Sequence, residues 1–576
     1  MATVLTDPFY YLENFRHVLD RVMSAHADLL TADERARLNM IRRLPGPAQA
    51  LLVRLVMRKG NVFRQSKLRY PEIGDIPPAL DELARAGLVD PAPTLSLTEL
   101  AALLRKEELL VCCLARFDTR LSPQGRRALE RLRKDELLAV LEDLAEGALL
   151  LHHWHPGLDD TAIRLQHPAL YDLLRLLFFG NLHQDWSEFV LTDLGHLRYE
   201  QVDLSAAARA FPHREDVEAY LHLWSCRERL EAGEATDLIA RDMPTTPFAN
   251  PWLERRRARL LFQMGRERER AQDWAGAERY YTASSWPEAR LRLIRVLEQD
   301  GQPQQAYAMA EALLARHPRE EDRQQLMRTL PRLCRKLGRP RPEDMPLSTP
   351  PRVDLVLPPD DGRPVEWIVM EHLHTPEAPV FYVENALINS LFGLLCWEAI
   401  FAPVPGAFFH DFHAGPADLY DEEFAGRREA EFARCLGLLD SGAHGETIRA
   451  NWRRKQGIQS PFVYWETLDE ALLELALACI PATHLNVLFR RLLSDIKNNR
   501  SGFPDLVQFD PVARDYRMIE VKGPGDRLQD NQLRWMDHFV RNGIPVSVAY
   551  VAWSSPAASV FAITPPSLPG DEPDAP

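Results

Sequence analysis

Hydrophobic residues recur at helical spacing along the first part of the chain. Between residues 8 and 165, Leu, Val and Ile return every three to four positions, and runs of β-branched residues are few. This spacing places the apolar side chains on one face of a helix. It predicts one amphipathic helix at residues 48–58, a second at 78–89 and a further helical pair at 97–133. We therefore predict a helical N-terminal region over residues 1–165.

The helical pattern continues over residues 166–345. Turns rich in Asp, Gly and Pro precede Ala-containing helices near Ala277 and Ala306, as in the helical hairpins of tetratricopeptide (TPR) repeats. These two positions are 29 residues apart, whereas the usual repeat is about 34 residues long. The pattern predicts TPR-like helical hairpins rather than a regular repeat array.

A proline-rich segment, residues 338–364, is interpreted as a linker, because proline breaks helices and lacks the backbone donor. A separate domain is predicted after it, over residues 365–555. The final residues, 564–576, are rich in Pro and acidic groups. That composition predicts a disordered tail.

The domain at 365–555 combines helices with strands. Its helical block is followed by strand-like runs at residues 506–510, 516–522 and 546–551. A helix with one apolar face is predicted at 528–541, between the last two strands. The domain is therefore expected to have an α/β fold.

Length and composition narrow the class of protein. A chain of 576 residues is too long for one core, since single cores stop growing near about 250 to 300 residues, and about three domains are expected. With 46% hydrophobic and 26% charged residues, it is neither a disordered nor a collagenous chain. The seven cysteines show no CxxC ligand spacing and no disulfide framework. No leader or uninterrupted apolar span is seen, so we expect a cytoplasmic protein without a membrane partner.

The charge is unevenly distributed. The net charge of -14 argues against nucleic-acid binding, which needs Lys and Arg. Residues 251–341, however, carry 20 Lys and Arg against 12 Asp and Glu. This excess indicates either a positively charged surface on an otherwise acidic protein or merely Arg-rich helices that are exposed to solvent. The candidate DNA-binding residues on one predicted helix are Arg255, Arg256, Arg257 and Arg259.

A second basic stretch, residues 59–70, lies between the first two predicted helices and contains aromatic residues. Arg64 and Lys67 are the candidate DNA-binding residues there, since basic groups beside aromatics suit phosphate contacts. A solvated connector is the alternative. The Gly87-Leu88-Val89 pattern is typical of winged-helix modules, and the pair at 97–133 resembles a SAP-type helix-turn-helix.

Two carboxylates and an ammonium are predicted to share one sheet edge. Strand alternation puts Glu520 and Lys522 on the same face. The segment 510–515 has the Pro and Asp chemistry of a hairpin turn, which brings Asp505 beside Glu520 on paired antiparallel strands. Like charges crowded in this way repel unless a cation offsets them. Hard oxygen ligands select Mg²⁺ or Mn²⁺, and a surface ion-pair cluster is the alternative.

Further motifs accompany these residues: Pro504-Asp505, Glu520-Val521-Lys522, Gly523-Pro524, Gln532 with Trp535, and the Leu391 to Phe401 segment that follows Glu384. Together they resemble the PD-(D/E)xK nuclease superfamily, and the wider pattern is similar to the VRR-NUC domains of Fanconi-associated nucleases. The resemblance implies a restriction-endonuclease-like α/β domain with a mixed sheet.

The resemblance also implies roles for these residues. Glu384, Asp505 and Glu520, together with the Val521 carbonyl, would bind two metal ions. Lys522 and Gln532 would be catalytic, with Lys522 orienting water or offsetting charge on the phosphate, and Arg500 would contact the DNA backbone. Glu384 is expected to begin a helix.

The implied function is a metal-dependent, structure-specific DNA nuclease. It would act as a 5′-flap endonuclease and a 5′ to 3′ exonuclease in interstrand crosslink repair, on branched or flapped duplex DNA at the bacterial nucleoid. No Cys/His zinc-finger spacing is seen, so no ubiquitin-binding finger is expected. Asn531 stands where vertebrate relatives carry Lys.

Two other functions stay open at this point. One is a Holliday-junction resolvase, which shares the motif but is usually small and dimeric. The other is a non-catalytic DNA-binding scaffold in which helical repeats recruit a partner. A decayed nuclease would usually have lost one of the carboxylates or the lysine. This chain has all four residues, Glu384, Asp505, Glu520 and Lys522.

Overall fold

The computed structural model describes residues 7–117, 121–144, 147–184, 186, 197–316, 318–341, 347–359 and 362–554. The predicted tail at 564–576 lies outside them. The described residues form two compact units. Unit 1 runs to Glu228 and includes Phe408–Phe412, and unit 2 comprises Arg229–Ala407 and the residues from His413 onward.

Unit 1 is mainly helical. Its helices are α1 Tyr10–Ala25, α2 Ala32–Arg43, α3 Gly46–Val56, α4 Ile76–Arg85, α5 Leu97–Leu103, α6 Lys106–Phe117, α7 Pro123–Arg131, α8 Lys134–Leu144, α9 Leu151–Trp154, α10 Pro168–Phe179 and α11 Arg214–Glu231, the last of which crosses into unit 2. Its strands are β1 Val62–Arg64, β2 Val89–Asp90, β3 Thr94–Leu95, β4 Leu149–Leu150 and β5 Ala162–Leu165. Short 3₁₀ turns in the unit are Ala27–Leu29, Gln65–Lys67 and Ala206–Ala208.

The first helices of unit 1 support the winged-helix interpretation. The predicted helices at 48–58 and 78–89 appear as α3 and α4. Gly87 then adopts φ 68°, a left-handed conformation that glycine accepts without a steric penalty. Beyond it the chain enters an antiparallel sheet of order β1-β5-β2.

The next part of unit 1 holds more than the predicted pair of helices. Residues 97–144 contain four helices, α5 to α8, and the side chains of Ser96 and Ser122 cap the first and the third of them. Leu100, Leu109 and Leu137 are buried together in their shared core. The two-helix SAP-type prediction was therefore incomplete.

Unit 2 contains a helical-hairpin region and a mixed-sheet domain. Its helices are α12 Thr236–Asp242, α13 Pro251–Arg270, α14 Trp274–Ala283, α15 Ala289–Gln299, α16 Pro303–Leu314, α17 Glu320–Leu337, α18 Val365–Leu373, α19 Leu387–Leu395, α20 Trp397–Ile400, α21 Glu429–Ser441, α22 His444–Lys455, α23 Glu470–Cys479, α24 Ala482–Ser494, α25 Ile496–Asn499 and α26 Asp530–Arg541, with a 3₁₀ turn at Gly426–Arg428. Its strands are β6 Arg352–Leu357, β7 Val380–Tyr382, β8 Leu506–Asp510, β9 Asp515–Lys522 and β10 Val546–Trp553.

The helices α13 to α17 pack on their neighbours in sequence, as the hairpin prediction expected. Ala277 and Ala306 are both fully buried in their shared core. A small side chain at these positions lets adjacent helices approach closely. Gly265 serves the same purpose, because a Cβ there would lie 2.6 Å from the Tyr281 ring.

The sheet of unit 2 has the order β6-β10-β9-β8-β7. Strands β6, β10 and β9 run parallel, whereas β9, β8 and β7 are antiparallel, so the sheet is mixed as predicted. Strand β6 was missed. It lies inside the segment 338–364, and the linker interpretation is wrong for these six residues, because prolines flank the strand without interrupting it.

In the described part of the chain, no single helix has the length and apolar content to cross a bilayer. The helices α23 and α24 pass together by length and composition, but they are bent by 107° to each other.

Candidate active site

Two carboxylates meet beside the β8–β9 hairpin. Leu506 on β8 pairs with Ile519 on β9, so Asp505 and Glu520 are the next residues along each strand and lie side by side. The Val521 N–H donates to Asp505 Oδ2 at 2.8 Å, which ties the aspartate to the neighbouring strand. Asp505 is 7% exposed and Glu520 is 0% exposed. The predicted pairing of these strands is confirmed.

Glu520 is held by two side chains through one of its oxygens. Its Oε1 lies 2.7 Å from Lys522 Nζ and accepts a hydrogen bond from Gln532 Nε2 at 2.6 Å. The other oxygen, Oε2, is buried and has no hydrogen-bond partner among the described residues. A buried carboxylate oxygen without a donor is costly. Oε2 is therefore well suited to face a cation.

Both carboxyls are harder to ionise than usual. Burial raises the pKa of Asp505 to about 6, and the charges of Glu384 and Glu366 add to this, while the Val521 N–H and Lys522 act in the opposite direction. Burial and the Asp505 charge raise the pKa of Glu520 to about 8, against the lowering effect of Lys522. Crowded anions in a buried site have this signature. A divalent cation would relieve the repulsion by favouring both ionised forms.

Glu384 lies in a turn, not at the start of a helix as predicted. Strand β7 ends at Tyr382, and α19 begins only at Leu387. The Glu384 carboxylate is exposed and accepts hydrogen bonds from the Tyr382 hydroxyl at 2.6 Å and from Asn385 Nδ2 at 3.2 Å. Val383, the residue before it, donates its N–H to the Asp505 carbonyl at 2.8 Å, so Glu384 lies near Asp505, and its charge acts to raise the pKa of both buried carboxyls.

Asn385 is a positioning residue that the sequence analysis missed. Its Oδ1 accepts the backbone N–H groups of Gly502 at 2.8 Å and Phe503 at 3.1 Å. This joins the turn that carries Glu384 to the loop that leads into Asp505. Asn385 has φ 53°, in the left-handed region that asparagine tolerates better than most residues. The available signal was Asn385 itself, since asparagine favours turns.

The backbone of Val521 suits the role predicted for its carbonyl. Its side chain is 3% exposed in the core on the sheet. Its N–H points toward Asp505, and the N–H and C=O of one residue in an extended strand point to the same side. The Val521 carbonyl therefore faces the Asp505 side of the strand.

The donor set fits a hard divalent cation. Three carboxylates and a carbonyl supply the oxygen ligands that Mg²⁺ and Mn²⁺ prefer. Among the described residues, no three acidic, imidazole or thiol groups converge closely enough to hold an ion in their present rotamers. Glu384 is turned toward Tyr382. This exposed side chain would have to change rotamer before it could join Asp505 and Glu520 in binding an ion.

A basic cleft of about 680 Å³ adjoins the turn that carries Glu384, since Asn385 lines it. The cleft brings together Arg255, Arg259 and Arg500, which were predicted separately to bind DNA. Its other cationic and aromatic residues, which sequence reasoning missed, are Arg319, Lys497, Trp286, Tyr420 and Tyr464. Basic groups among exposed aromatic rings are typical of a surface that binds nucleic-acid strands.

Arg500 is held in place within the cleft. Its guanidinium donates to the Tyr420 hydroxyl and, at 2.6 Å, to the Pro461 carbonyl. Arg255 forms an ion pair with Asp421 and lies 5.4 Å from the centre of the Trp286 ring. Arg259 is exposed and lies 5.7 Å from the same ring. Arg255, Arg319 and Lys497 are paired with nearby carboxylates, so Arg259 and Arg500 are the cations that the cleft presents beside flat rings with no acidic partner among the described residues.

Two of the predicted DNA-binding residues are corrected by the structure. Arg257 is 4% exposed and is bound by Glu254 at 2.8 and 2.9 Å. In unit 1, Arg64 is enclosed between Asp160 and Glu108, each at 2.6 Å. Their charges are neutralised inside the protein, so neither is available to a phosphate.

The two remaining basic candidates differ in their surroundings. Arg256 folds back over Trp252, with its guanidinium 4.0 Å from the ring centre, and it donates to the Trp252 carbonyl at 2.9 Å. It therefore does not line the basic cleft. Lys67 is exposed in unit 1, and its DNA contact stays a prediction.

Two family models match the chain. The VRR-NUC domain matches residues 440–553, which include Asp505, Glu520 and Lys522, and the "FAN1, HTH domain" matches residues 9–90. The chain is 51% identical to the Fanconi-associated nuclease 1 homolog of Pseudomonas aeruginosa over 96% of this chain and 97% of that protein. It is 26% identical to the homolog of Oryza sativa, over 94% of this chain and 62% of that one.

Solved structures show the same likeness. The chain matches a crystal structure of paFAN1 bound to 2nt 5′flap DNA with gap, with a TM-score of 0.83, 50% identity and coverage of 96% of this chain and 100% of that one. A second structure, of paFAN1 bound to 1nt 5′flap DNA with gap, matches with a TM-score of 0.82, 50% identity and coverage of 95% and 100%.

Proposed function

The chain belongs to the Fanconi-associated nuclease family, and we propose that it is a structure-specific DNA nuclease that acts in the bacterial cytoplasm on nucleoid DNA. It hydrolyses phosphodiester bonds as a 5′-flap endonuclease and a 5′ to 3′ exonuclease in interstrand crosslink repair. The observation that carries the proposal is the clustering of buried Asp505 and Glu520 with Lys522 at one end of the interior strands β8 and β9.

The family implies dependence on a divalent cation, and we assign Mg²⁺ or Mn²⁺ in a two-ion site. Glu384, Asp505, Glu520 and the Val521 carbonyl would hold the ions. When bound, such ions make water a better nucleophile and stabilise the leaving oxygen. The negative charges of Asp505 and Glu520 would repel the phosphate of the substrate. A cation must therefore be bound in the site together with the substrate.

Lys522 and Gln532 have different tasks. The Lys522 ammonium lies beside Glu520 and offsets negative charge that develops on the phosphate as the bond breaks. Gln532 holds Oε1 of Glu520 through its Nε2, while its own Oε1 accepts the Gln529 N–H at 2.9 Å. We therefore revise the role of Gln532 from catalytic residue to positioning residue.

The function is tested by incubating the purified protein with a 5′-labelled flap duplex and Mn²⁺, Mg²⁺ or a chelator. We expect cleavage near the flap junction with either ion and none with the chelator. Blunt duplex and an immobile four-way junction serve as comparison substrates. Preferred cleavage of the four-way junction would favour the resolvase, and binding of the flap without cutting would favour the scaffold.

The basic cleft should supply phosphate contacts that do not depend on base sequence. Replacing Arg255 and Arg259 together by Gln should weaken DNA binding and reduce the slope of log affinity against log salt by up to about 1.8, since each lost contact removes about 0.9. Fluorescence anisotropy at several salt concentrations measures this slope. Arg270→Gln is the matched control, because Arg270 lies on the same helix, is 63% exposed and pairs with Glu267. An unchanged slope in the double variant would show that the cleft makes no phosphate contact.

A further inference from the structure

A polar stripe on α17 contacts the outer side of α26. Glu320, Gln324 and Arg328 are spaced four residues apart and therefore share one face of α17. Arg328 Nη1 donates to Asp530 Oδ2 at 2.7 Å. Gln324 Oε1 accepts from Arg534 Nη1 at 2.6 Å. Successive residues of the stripe thus bind successive turns of α26.

The third member of the stripe reaches α26 through a buried arginine. Glu320 accepts from Arg491 of α24 at 2.9 Å. The Arg491 side chain is only 5% exposed, also donates to the Arg534 carbonyl at 3.1 Å and lies 4.6 Å from the centre of the Trp535 ring. The helical-hairpin region therefore holds α26 at three points.

The opposite face of α26 carries Gln532. An α-helix advances by about 100° per residue, so Asp530 and Arg534 lie about 40° apart and Gln532 points in the opposite direction. This is the residue that binds Glu520 Oε1 at 2.6 Å. One helix is thus attached to the helical hairpins on one side and to a candidate metal ligand on the other.

We propose that the stripe formed by Glu320, Gln324 and Arg328 is a positioning element for catalysis. By setting the placement of α26, it keeps Gln532 against Glu520 and so directs the free oxygen of that carboxylate into the site. The inference rests on the proposed nuclease function. It gives the helical-hairpin region a role in turnover that is separate from any contact with DNA.

A purely stabilising role is the alternative. Arg328 and Asp530 are 59% and 48% exposed, and exposed ion pairs contribute little to the stability of a fold. Loss of this pair should therefore leave folding nearly unchanged. Catalysis is more sensitive, because small displacements of catalytic groups lower rates strongly.

The test compares single-turnover cleavage of the flap duplex, DNA affinity and melting temperature. Arg328→Asp places like charges opposite each other and should lower the single-turnover rate about tenfold, with the affinity and melting temperature close to wild type. Adding Asp530→Arg reverses both charges and should restore most of the rate. Arg323→Ala is the control, since Arg323 is exposed on the same helix and takes part in none of the three contacts.

A double-mutant cycle with Gln532→Ala tests the route of the effect. If the stripe acts through Gln532, Arg328→Asp should lower the rate by no more than about twofold once Gln532 is absent, because coupled residues are not additive. Independent, multiplying effects would overturn the inference. So would a rate loss no larger than that of Arg323→Ala, or a failure of the charge reversal to restore the rate.

These outcomes are separable from a failure of the proposed function. If the wild-type protein does not cut the flap, the function itself is wrong. If the wild type cuts and the Arg328 variants cut equally well, only the positioning role is wrong. Arg328→Lys provides a milder variant that keeps the charge and should retain most of the rate.

Discussion

Asp505→Ala and Glu520→Ala should each reduce cleavage of a 5′-flap duplex by several orders of magnitude, because activation of water by the metal accounts for much of phosphodiester hydrolysis. The affinity for DNA should stay nearly unchanged, since the basic cleft is formed by other residues. Single-turnover kinetics measure the cleavage rate. Fluorescence anisotropy in the presence of Ca²⁺ or a chelator measures the affinity for DNA.

The matched control for these variants is Asp515→Ala. Asp515 is an exposed carboxylate at the start of β9, the strand that carries Glu520 near its other end. Its loss removes one negative charge without altering the site. Asp505→Asn and Glu520→Gln keep the shape of the side chains and guard against a packing defect. Activity within about threefold of wild type in either alanine variant would refute the assignment of the site.

Lys522→Ala should lose turnover while it retains metal and DNA binding. A protonated lysine has no lone pair for a cation, so its ammonium acts on the phosphate instead. Glu520→Ala, in contrast, should lose metal binding as well as turnover. Lys522→Ala is expected to lower turnover by at least about two orders of magnitude. Calorimetric titration of each variant with Mn²⁺ then separates metal binding from catalysis.

The ion pair between Lys522 and Glu520 adds a condition to this comparison. Lys522 lowers the pKa of Glu520, so its removal makes the carboxylate harder to ionise and favours protons over metal. The titrations should therefore be made above pH 8, where that competition is weakest. If Lys522→Ala abolishes Mn²⁺ uptake there as completely as Glu520→Ala does, the division between metal ligand and electrostatic catalyst is wrong.

Local patterns predicted the part of the candidate site that lies in one hairpin. Strands were predicted at 506–510 and 516–522, and they are observed at Leu506–Asp510 and Asp515–Lys522. A short turn leaves little freedom in how two strands pair, and alternation decides which side chains share a face. The juxtaposition of Asp505 with Glu520 followed from these two facts.

Contacts between distant segments decided the remainder. Arg64 was misjudged because its partners, Glu108 and Asp160, lie 44 and 96 residues away. Arg257 was misjudged because only the folded chain shows that its face of the helix is buried. Asn385, which lies between Glu384 and α19, binds a loop 117 residues away, and no local pattern predicts this contact. Strand β6 escaped notice because the prolines on either side of it suggested a linker, and its place beside β10 exists only in the assembled sheet.

The sequence by itself therefore determined the chemical groups of this protein and the hairpin that brings two carboxylates and a lysine together. Only the tertiary structure decided which cations share one cleft, where the third carboxylate lies and how α26 is held. The physical reason is the range of the interactions. Periodicity and turn chemistry act over a few residues, whereas burial, ion pairing and helix docking, such as Glu320 on Arg491 at a separation of 171 residues, depend on the folded chain.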